Sequence, residues 1–421
     1  MHVGIESINV YGGQTYMDVR TLFEARGLDL ERFGNLMMEK KAVGLPCEDG
    51  ITHAVNAARP LLDRYSEAEK QRIELVITAT ESATDFAKSM STHIHKYLGL
   101  SRNCRLFELK QACYGGTAAL QMAASWIKSQ ASPGAKALVL AADTIMLETP
   151  DAQGGAPNKF SYAEPSAGVA GMAMIVSDNP AVLTLDFGAN GYFSYEVNDV
   201  CRPSTKGDAG DPDLSLLSYL DCLEGSFASY ISKVDGADFQ NTFDYLAFHT
   251  PFAGMVKGAH RKAMRTFTKN VKPHEIDSDF QRRVMPSLKY CVQVGGVYSA
   301  TLYFALCSLL DNIPELDTPK RVGMFSYGSG CASEFYSGVI TPTSQAEIRS
   351  MKIGEALANR YSLSMAEYDK LLRQSAQWEF GVNNKEVDIQ PFYDIYKKHF
   401  EGKGYLVLKG VKDFQREYAW S

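Results

Sequence analysis

The chain has 421 residues, 45% hydrophobic and 22% charged, which is the composition of a folded globular protein rather than a disordered one. Its net charge of −6 argues against nucleic acid as the main partner, because binding a phosphate backbone requires a basic surface. We identify neither a signal peptide nor an apolar stretch of the about 20 residues that a membrane span needs. The eight cysteines are dispersed and contain no Cys-x-x-Cys pair. We therefore expect a cytoplasmic protein without a zinc cluster or disulfides.

The first part of the chain alternates apolar, β-branched runs with segments of helical periodicity. We predict strands over His2–Val10, Ile73–Thr78, Leu106–Leu109, Lys136–Ala142 and Ala170–Ser177. We predict helices over Thr15–Ala25, Thr52–Leu62, Asp85–Leu98, with Asp85 as the N-cap residue, and Gly115–Ser129.

The second part repeats this alternation. The predicted elements are a strand over Asp244–Phe248, helices over Met255–Phe267 and Tyr298–Asp311, and paired strands over Arg321–Ser326 and Phe335–Thr341. Strands alternating with helices predict an α/β layer fold. Because the two parts resemble each other in outline, we predict two similar halves, residues 1–180 and 181–421. The stretch after Gln345 is more polar, and we expect it to cover the surface.

The segment from Phe107 to Thr117 leads from a predicted strand through Cys113 to two glycines and an alanine-rich helix. A thiol at a helix N-terminus meets the positive end of the helix dipole, which favours the thiolate form. The glycines allow a substrate to approach closely. Cys113 is therefore a candidate nucleophile; the alternative is a buried cysteine that acts as a small apolar residue.

Glu81 follows another predicted strand, at the edge where α/β sheets bind ligands. A carboxylate there is a candidate general base or acid, and the alternative is a first-turn acid that complements a helix dipole.

His249 also ends a predicted strand, and its imidazole could donate to a thioester carbonyl or exchange a proton with a thiol. The alternative is a hydrogen-bonded core histidine. We place His93 and His95 within a helix, and we expect His260 and His399 on the surface. A cysteine, a carboxylate and a histidine at three strand ends are the groups that covalent acyl transfer with an enolisation step requires.

These segments resemble the 3-hydroxy-3-methylglutaryl-CoA synthase family of the thiolase superfamily, over nearly the whole chain. The matching motifs are Thr80–Ser82 with Lys88 downstream, Gln111–Gly116, Phe248–Phe252 and Tyr327–Gly330. The resemblance implies the thiolase-like five-layered αβαβα fold, built of two similar halves, and a homodimer. It also implies a C–C bond-forming acyltransferase activity.

The resemblance assigns a role to each strand-end residue. Cys113 takes an acetyl group from a thioester, and Glu81 removes a proton from the acetyl methyl group and later protonates the product alkoxide. His249 holds the thioester of the second substrate and assists thiol exchange. The enolate attacks a β-ketone, and water then releases the product from Cys113. Tyr298, Gly328, Ser329 and Gly330 are candidate substrate-binding residues, and backbone N–H groups of Cys113 and of the Gly328–Gly330 turn are candidate donors to the enolate oxygen.

Three positions depart from typical CoA-using members. Gln111 replaces an asparagine, Gly254 replaces a lysine near the CoA, and Gly296 replaces an asparagine of the substrate wall. The chain is more similar to the subgroup that performs β-branching in polyketide assembly lines, at Ser161–Ser166 and at Phe325–Cys331. There both the acetyl donor and the β-ketoacyl acceptor are attached to acyl carrier proteins.

The resemblance therefore implies donor and acceptor carrier proteins as partners. Their phosphopantetheine arm is supplied with the substrate, and no metal and no permanently bound cofactor is expected. Because carrier proteins are acidic, docking needs a basic patch. The candidate docking residues are Arg32, Lys40, Lys41, Lys257 and Arg261. The alternatives are a CoA-dependent hydroxymethylglutaryl-CoA synthase of isoprenoid precursor synthesis, a thiolase or ketosynthase, and a non-catalytic scaffold that binds carrier proteins.

Overall fold

The computed structural model describes residues 1–144, 163–204, 207–375 and 381–421. The strands are β1 Gly4–Tyr11, β2 Thr15–Asp18, β3 Lys40–Val43, β4 Ile73–Ala79, β5 Arg105–Leu109, β6 Lys136–Asp143, β7 Ala170–Ser177, β8 Leu183–Ser194, β9 Val200–Ser204, β10 Gly207–Gly210, β11 Tyr245–Phe248, β12 Lys320–Gly328, β13 Ala332–Ile340, β14 Tyr361–Ser362, β15 Lys385–Glu386, β16 Leu406–Lys412 and β17 Gln415–Trp420.

The α-helices are α1 Val19–Ala25, α2 Leu30–Leu36, α3 Gly50–Leu62, α4 Glu67–Lys70, α5 Met90–Tyr97, α6 Gly115–Lys128, α7 Ala163–Ser166, α8 Pro212–Ile231, α9 Ala253–Phe267, α10 Pro273–Asp279, α11 Met285–Leu288, α12 Cys291–Val294, α13 Thr301–Asn312, α14 Pro342–Ser350, α15 Ile353–Ala358, α16 Met365–Ser375 and α17 Tyr393–His399. A π-helix covers Phe280–Val284, and 3₁₀-helices cover Tyr298–Ala300 and Gln390–Phe392. Over these described ranges, no helix is both long enough and apolar enough to cross a bilayer.

The large sheet has the strand order β11-β12-β13-β8-β1-β7-β6-β4-β5. From β1 to β7, β6 and β4, the pairings are antiparallel, antiparallel and parallel. From β8 to β13, β12 and β11, the same order of pairings recurs. A short antiparallel contact, with Gly4 opposite Thr184 and Ile5 opposite Leu183, joins the two sets of strands. This repetition is the pattern expected of two similar halves, and the boundary between residues 180 and 181 stays a prediction.

Helices form three layers around the two sets of strands. Helix α3 covers β1, β6 and β7 on one outer side, and α8 covers β8 and β13 on the other. Between the two sets of strands lie α6, which packs on β4, β6 and β7, and α13, which packs on β1, β11 and β12. Ala119 and Ala123 of α6 and Leu302 and Ala305 of α13 are fully or almost fully buried. The predicted five-layered αβαβα arrangement is confirmed.

Several sequence predictions of local structure and burial differ from the structure. The segment predicted as one helix over Thr15–Ala25 begins as strand β2, and the helix starts only at Val19. Asp18 caps that helix by accepting a hydrogen bond from the backbone of Thr21 at 2.8 Å. The C-terminal stretch is not only a surface cover, because Phe400 and Leu406 are fully buried.

The helix predicted over Asp85–Leu98 begins only at Met90. Ser89 is its N-cap residue, and its hydroxyl accepts from the backbone of Ser91 at 3.1 Å. Asp85 instead accepts from the N–H groups of Ala87 and Lys88, both at 2.7 Å, so it closes a local turn before the helix.

His260, predicted on the surface, is fully buried on α9 because the π-helix packs against it. Its Nε2 lies 2.7 Å from Oδ1 of Asp279, which also receives two hydrogen bonds from the fully buried Arg283 at 2.7 and 3.0 Å. Burial would raise the pKa of Asp279, but the hydrogen bonds from His260 and Arg283 outweigh it and lower the pKa to about 2. His399 is likewise half-buried rather than exposed.

Replacing Arg283 by Met is expected to destabilise the fold by about 3–5 kcal/mol, because the carboxylate of Asp279 loses its buried cation and keeps only the exposed Arg282, 3.3 Å from Oδ2. The free energy of unfolding, measured with urea, checks this. Since the pKa of Asp279 is depressed, the pair's contribution should be complete above about pH 4 and should fall as the pH drops towards 2. The matched control is Arg64→Gln in the exposed Arg64–Glu347 pair, which should cost at most about 1 kcal/mol. Equal losses for both variants would contradict the prediction.

Candidate active site

Cys113 and Glu81 meet at the carboxyl ends of two neighbouring parallel strands. Ala79 of β4 pairs with Leu109 of β5, so the segments that follow these strands emerge at the same edge of the sheet. The Sγ of Cys113 donates a hydrogen bond to Oε1 of Glu81 at 2.9 Å. The structure thus places the predicted nucleophile directly against the predicted acid and base.

A strained turn presents the thiol. Ala112 has a φ of 42°, a left-handed value that non-glycine residues rarely adopt, and α6 begins just beyond, at Gly115. Ser299 holds this turn from the second half of the chain: its hydroxyl accepts from the N–H of Gly116 and donates to the carbonyl of Ala112, both at 3.1 Å. Cys113 therefore lies at the tip of a braced turn, immediately before a helix, which is a suitable setting for a nucleophile.

Asp143, at the end of β6, holds the backbone that carries Glu81. Its Oδ1 accepts from the N–H of Glu81 at 2.7 Å, from the hydroxyl of Thr80 at 2.8 Å, and from the N–H and hydroxyl of Ser82 at 3.0 and 2.8 Å. Burial raises the pKa of Asp143 to about 6, although these hydrogen bonds oppose the rise. Because α5 begins only at Met90, Glu81 is not a first-turn acid of a helix.

His249 follows β11, which runs parallel to β12 with Phe248 opposite Phe325. Its backbone is fixed on both sides, since its N–H donates to Phe325 and its carbonyl accepts from the hydroxyl of Tyr219 at 2.6 Å. The imidazole is buried, and burial lowers its pKa to about 3, so the ring is neutral near pH 7. Within the described residues, its buried Nδ1 has no hydrogen-bond partner. His249 is therefore not the hydrogen-bonded core histidine of the alternative interpretation.

The end of β12 touches the Cys113 turn. A side chain on Gly328 would place its Cβ 2.6 Å from both the carbonyl oxygen of Gln111 and the nitrogen of Tyr114, so only glycine permits this approach. Because β11 and β12 are adjacent and parallel, this contact brings the edge that carries His249 to the edge that carries Cys113 and Glu81. All three candidate catalytic residues thus belong to one region of the fold.

The other candidate substrate-binding residues, Ser329, Gly330 and Tyr298, differ in burial and in hydrogen-bond partners. Ser329 is half-buried at the tip of the turn after β12. The N–H of Gly330 donates to Oδ1 of Asp199 at 2.9 Å, so this N–H is already engaged within the protein, and the role of the Gly328–Gly330 turn in substrate binding stays a prediction. Tyr298 has a φ of 51°, and its hydroxyl accepts a hydrogen bond from Nη2 of Arg202 at 2.6 Å.

The candidate docking cations fall into two groups. Arg32 of α2 and Arg261 of α9 are exposed, Lys257 of α9 is half-exposed, and the two helices pack together. Lys40 is half-buried with its Nζ 4.6 Å from the ring centroid of Tyr16. Lys41 is 2% exposed and its ammonium binds the carbonyl of Glu164, so its prediction as a surface docking residue is wrong.

Three contributors to the site were not predicted: Asp143, Ser299 and Arg202. Asp143 adjoins the predicted strand Lys136–Ala142, and an acidic residue at a strand end was a usable signal. Of the motif Ser161–Ser166, residues 161 and 162 lie outside the described residues, and Ala163–Ser166 form α7.

Comparison with known proteins identifies the family of this chain. The N-terminal hydroxymethylglutaryl-coenzyme A synthase family model matches residues 1–180, and the C-terminal model matches residues 261–420. The chain is 53% identical to the polyketide biosynthesis 3-hydroxy-3-methylglutaryl-ACP synthase PksG of Bacillus subtilis, over 99% of both chains. It is 32% identical to the hydroxymethylglutaryl-CoA synthase of Enterococcus faecalis, over 89% of this chain and 92% of that one.

Solved structures give the same result. The curacin biosynthetic pathway HMG synthase, in complex with a holo donor-ACP, superimposes with a TM-score of 0.95 at 55% identity over 100% of both chains. With both family models matched and a relative of this identity aligned end to end, the chain belongs to the hydroxymethylglutaryl-CoA synthase family of C–C bond-forming acyltransferases, on the thiolase-like fold.

Proposed function

We propose that the chain is a 3-hydroxy-3-methylglutaryl synthase of polyketide biosynthesis that acts on carrier-protein thioesters and performs β-branching. The observation that carries the proposal is the 2.9 Å contact between Sγ of Cys113 and Oε1 of Glu81, which unites a nucleophile with a base. The similarity to PksG and to the curacin HMG synthase supports carrier-protein substrates, because the identities to these two exceed that to the Enterococcus CoA enzyme.

In the first step, Cys113 attacks the acetyl thioester on the phosphopantetheine arm of a donor carrier protein. A C–S bond forms to Cys113, the donor's C–S bond breaks, and the thiol proton passes to the leaving thiolate. The neutral imidazole of His249 can carry this proton, so Glu81 keeps its carboxylate form for the next step. The acetyl group then remains on Cys113 as a thioester.

In the second step, Glu81 removes a proton from the acetyl methyl group, and the resulting enolate attacks the β-ketone of the acceptor chain. A C–C bond forms, and the protonated Glu81 returns its proton to the new alkoxide. Neutral His249 holds the acceptor thioester by donating a hydrogen bond to its carbonyl. Water finally hydrolyses the thioester to Cys113 and releases a carboxylate on the product.

Gly254 provides a structural reason for a preference against CoA. Its missing side chain leaves room for α2: a Cβ at this position would lie 1.7 Å from the carbonyl oxygen of Asn35. Helix α2 thus occupies the space beside the start of α9, and it carries the exposed Arg32. We propose that Arg32, Lys257 and Arg261, on these two packed helices, form the basic surface that receives an acidic carrier protein.

Restoring the family lysine should therefore not restore CoA use. We expect Gly254→Lys to displace α2, to lower the rate of acetyl loading from the donor carrier protein by about 10-fold or more, and to leave loading from acetyl-CoA no faster than in the wild type. Loading rates followed by intact mass spectrometry check this. The control is Gly258→Lys, one turn further along α9, where a Cβ meets open space. Faster loading from acetyl-CoA in Gly254→Lys would contradict the interpretation.

A homodimer is part of the proposal. Strand β5 lies at one edge of the large sheet, and Phe107 and Leu109 on it are only half-buried in the single chain. Pairing with a second copy of β5 would satisfy the edge that has no partner strand among the described residues. Light scattering should therefore give about twice the 46.5 kDa of one chain; a monomeric mass would contradict this part.

The function is tested by comparing donors. The protein is incubated with an acetyl-loaded carrier protein and, separately, with acetyl-CoA, and is weighed by intact mass spectrometry. Faster acetylation from the carrier protein supports the proposal. Equal or faster loading from CoA would favour the CoA-dependent enzyme of isoprenoid precursor synthesis. Absence of an acetyl adduct from both donors would favour a non-catalytic scaffold.

A further inference from the structure

A short hairpin, β9–β10, approaches the Glu81 segment from the second half of the chain. Its base is anchored at Asp199, which is fully buried and accepts hydrogen bonds from the hydroxyl of Tyr327 at 2.5 Å and from the N–H of Gly330 at 2.9 Å. The carbonyl of Asp199 also accepts from the N–H of Asp211 at 2.6 Å. The hairpin is thus tied firmly to the glycine turn after β12.

Arg202 lies three residues beyond this anchor and reaches two groups of the active site. Its Nη1 donates to the backbone carbonyl of Glu81 at 3.1 Å, and its Nη2 donates to the hydroxyl of Tyr298 at 2.6 Å. The guanidinium carbon lies 5.2 Å from the ring centroid of Tyr298. Because the guanidinium group is planar and its donors have a fixed spacing, the two contacts set the distance between the Glu81 backbone and the Tyr298 side chain.

The backbone of Glu81 is therefore held on both sides. Asp143 accepts the hydrogen bond of its N–H at 2.7 Å, and Arg202 donates to its carbonyl. With its backbone fixed by these two contacts, Glu81 extends its side chain to the thiol of Cys113. The segment from Thr80 to Ser89 has no helix or strand of its own, so such contacts must supply the rigidity that a general base needs.

We infer that Arg202 is a positioning residue: it holds Glu81 in the orientation that removes a proton from the acyl group on Cys113, and it fixes the side chain of Tyr298 beside the same site. This inference rests on the proposed function. The inference predicts different effects on the two chemical steps. Thiol exchange depends on the Cys113 turn that Ser299 holds, whereas enolisation depends on the orientation of the Glu81 side chain.

The test follows both steps on one enzyme. A donor carrier protein loaded with trideuterioacetyl is mixed with the protein in ordinary water. Acetylation of Cys113 is read from the intact mass, and the loss of deuterium from the acetyl group is read from the Cys113 peptide. Deuterium washout reports enolisation directly, and it does not require an acceptor substrate.

We expect Arg202→Met to acetylate Cys113 within about 2-fold of the wild-type rate, and to slow deuterium washout by about 10- to 100-fold, the loss typical of a misplaced catalytic group. In turnover with the acceptor, kcat should fall while KM stays the same. Arg202→Lys should be intermediate, since an ammonium group can donate to Glu81 or Tyr298 but lacks the fork that spans both. Tyr298→Phe, which removes only one of the two contacts, should slow washout less than Arg202→Met.

The control is Arg64→Gln, which removes an arginine from an exposed ion pair. Washout at the wild-type rate in Arg202→Met would overturn the inference. So would an equal fall of loading and washout together with a lower Tm, because that is the signature of a merely structural arginine. A wild-type protein that takes no acetyl group from the carrier protein would instead overturn the proposed function, and the inference with it.

Discussion

Replacing Glu81 by Gln is expected to stop the reaction at the acetyl-enzyme. An amide keeps the shape of the carboxyl group and can still accept a hydrogen bond from Cys113, which lies 2.9 Å away in the native protein. It cannot accept a proton from the acetyl methyl group, so condensation should fall by about 10²- to 10⁴-fold, the usual contribution of a general base. Intact mass spectrometry should show the acetyl adduct accumulating, and the acceptor carrier protein should gain no branched product.

The matched control for this variant is Glu347→Gln, which removes a partly exposed carboxylate from a surface ion pair and should leave condensation unchanged. If Glu81→Gln condensed at the wild-type rate, another group would be the base. If it failed to acetylate at all, Glu81 would be required for thiol exchange as well, and the division of the mechanism into two steps would need revision.

Replacing Cys113 by Ala is expected to abolish acetylation from every donor. Alanine has no nucleophile, and removal of a covalent nucleophile costs on the order of 10⁶-fold in rate. Alanine also fits the turn, since the neighbouring Ala112 already carries the left-handed φ of 42°. The absence of an acetyl adduct by intact mass, together with a Tm close to the wild type, would establish the role of the thiol.

A suitable control is Cys104→Ala, because Cys104 is only partly buried and lies near the same strand, just before β5. This variant should acetylate normally. An adduct that persisted in Cys113→Ala and disappeared in Cys104→Ala would transfer the nucleophile's role to the second cysteine.

The parts of the site that local sequence predicts are those at strand ends. Glu81, Cys113 and His249 each follow an apolar run, and parallel strands bring their carboxyl ends together, so their proximity follows from the pattern. Asp143, which follows the same rule at the end of β6, could have been predicted in this way. Arg202 could not, because it contacts Glu81 from 121 positions away and no periodicity links residues across such a distance.

Burial was harder to predict than secondary structure. The periodicity of α9 indicates an apolar face, but it does not reveal that the π-helix Phe280–Val284 also covers His260. The prediction that Lys41 is exposed was wrong for a similar reason. Residues distant in sequence cover its strand, β3, among them Tyr368, whose hydroxyl lies 3.0 Å from the ammonium group of Lys41. The start of α5 was misplaced because Asp85 and Ser89 both favour N-caps, and only Ser89 precedes the helix.

The assembly of one site from both sets of strands constrains how this sequence can change over time. Glu81 and the Cys113 turn come from one half of the chain, whereas Arg202 and Ser299 come from the other, and they meet through hydrogen bonds of 3.1 Å. A recombinant gene could join one half of this chain to the complementary half of a distant homologue. The residues that hydrogen-bond between the halves would then come from two lineages and would not have evolved together. Selection therefore acts on the two halves as a single inherited unit, even though their strand pairings repeat.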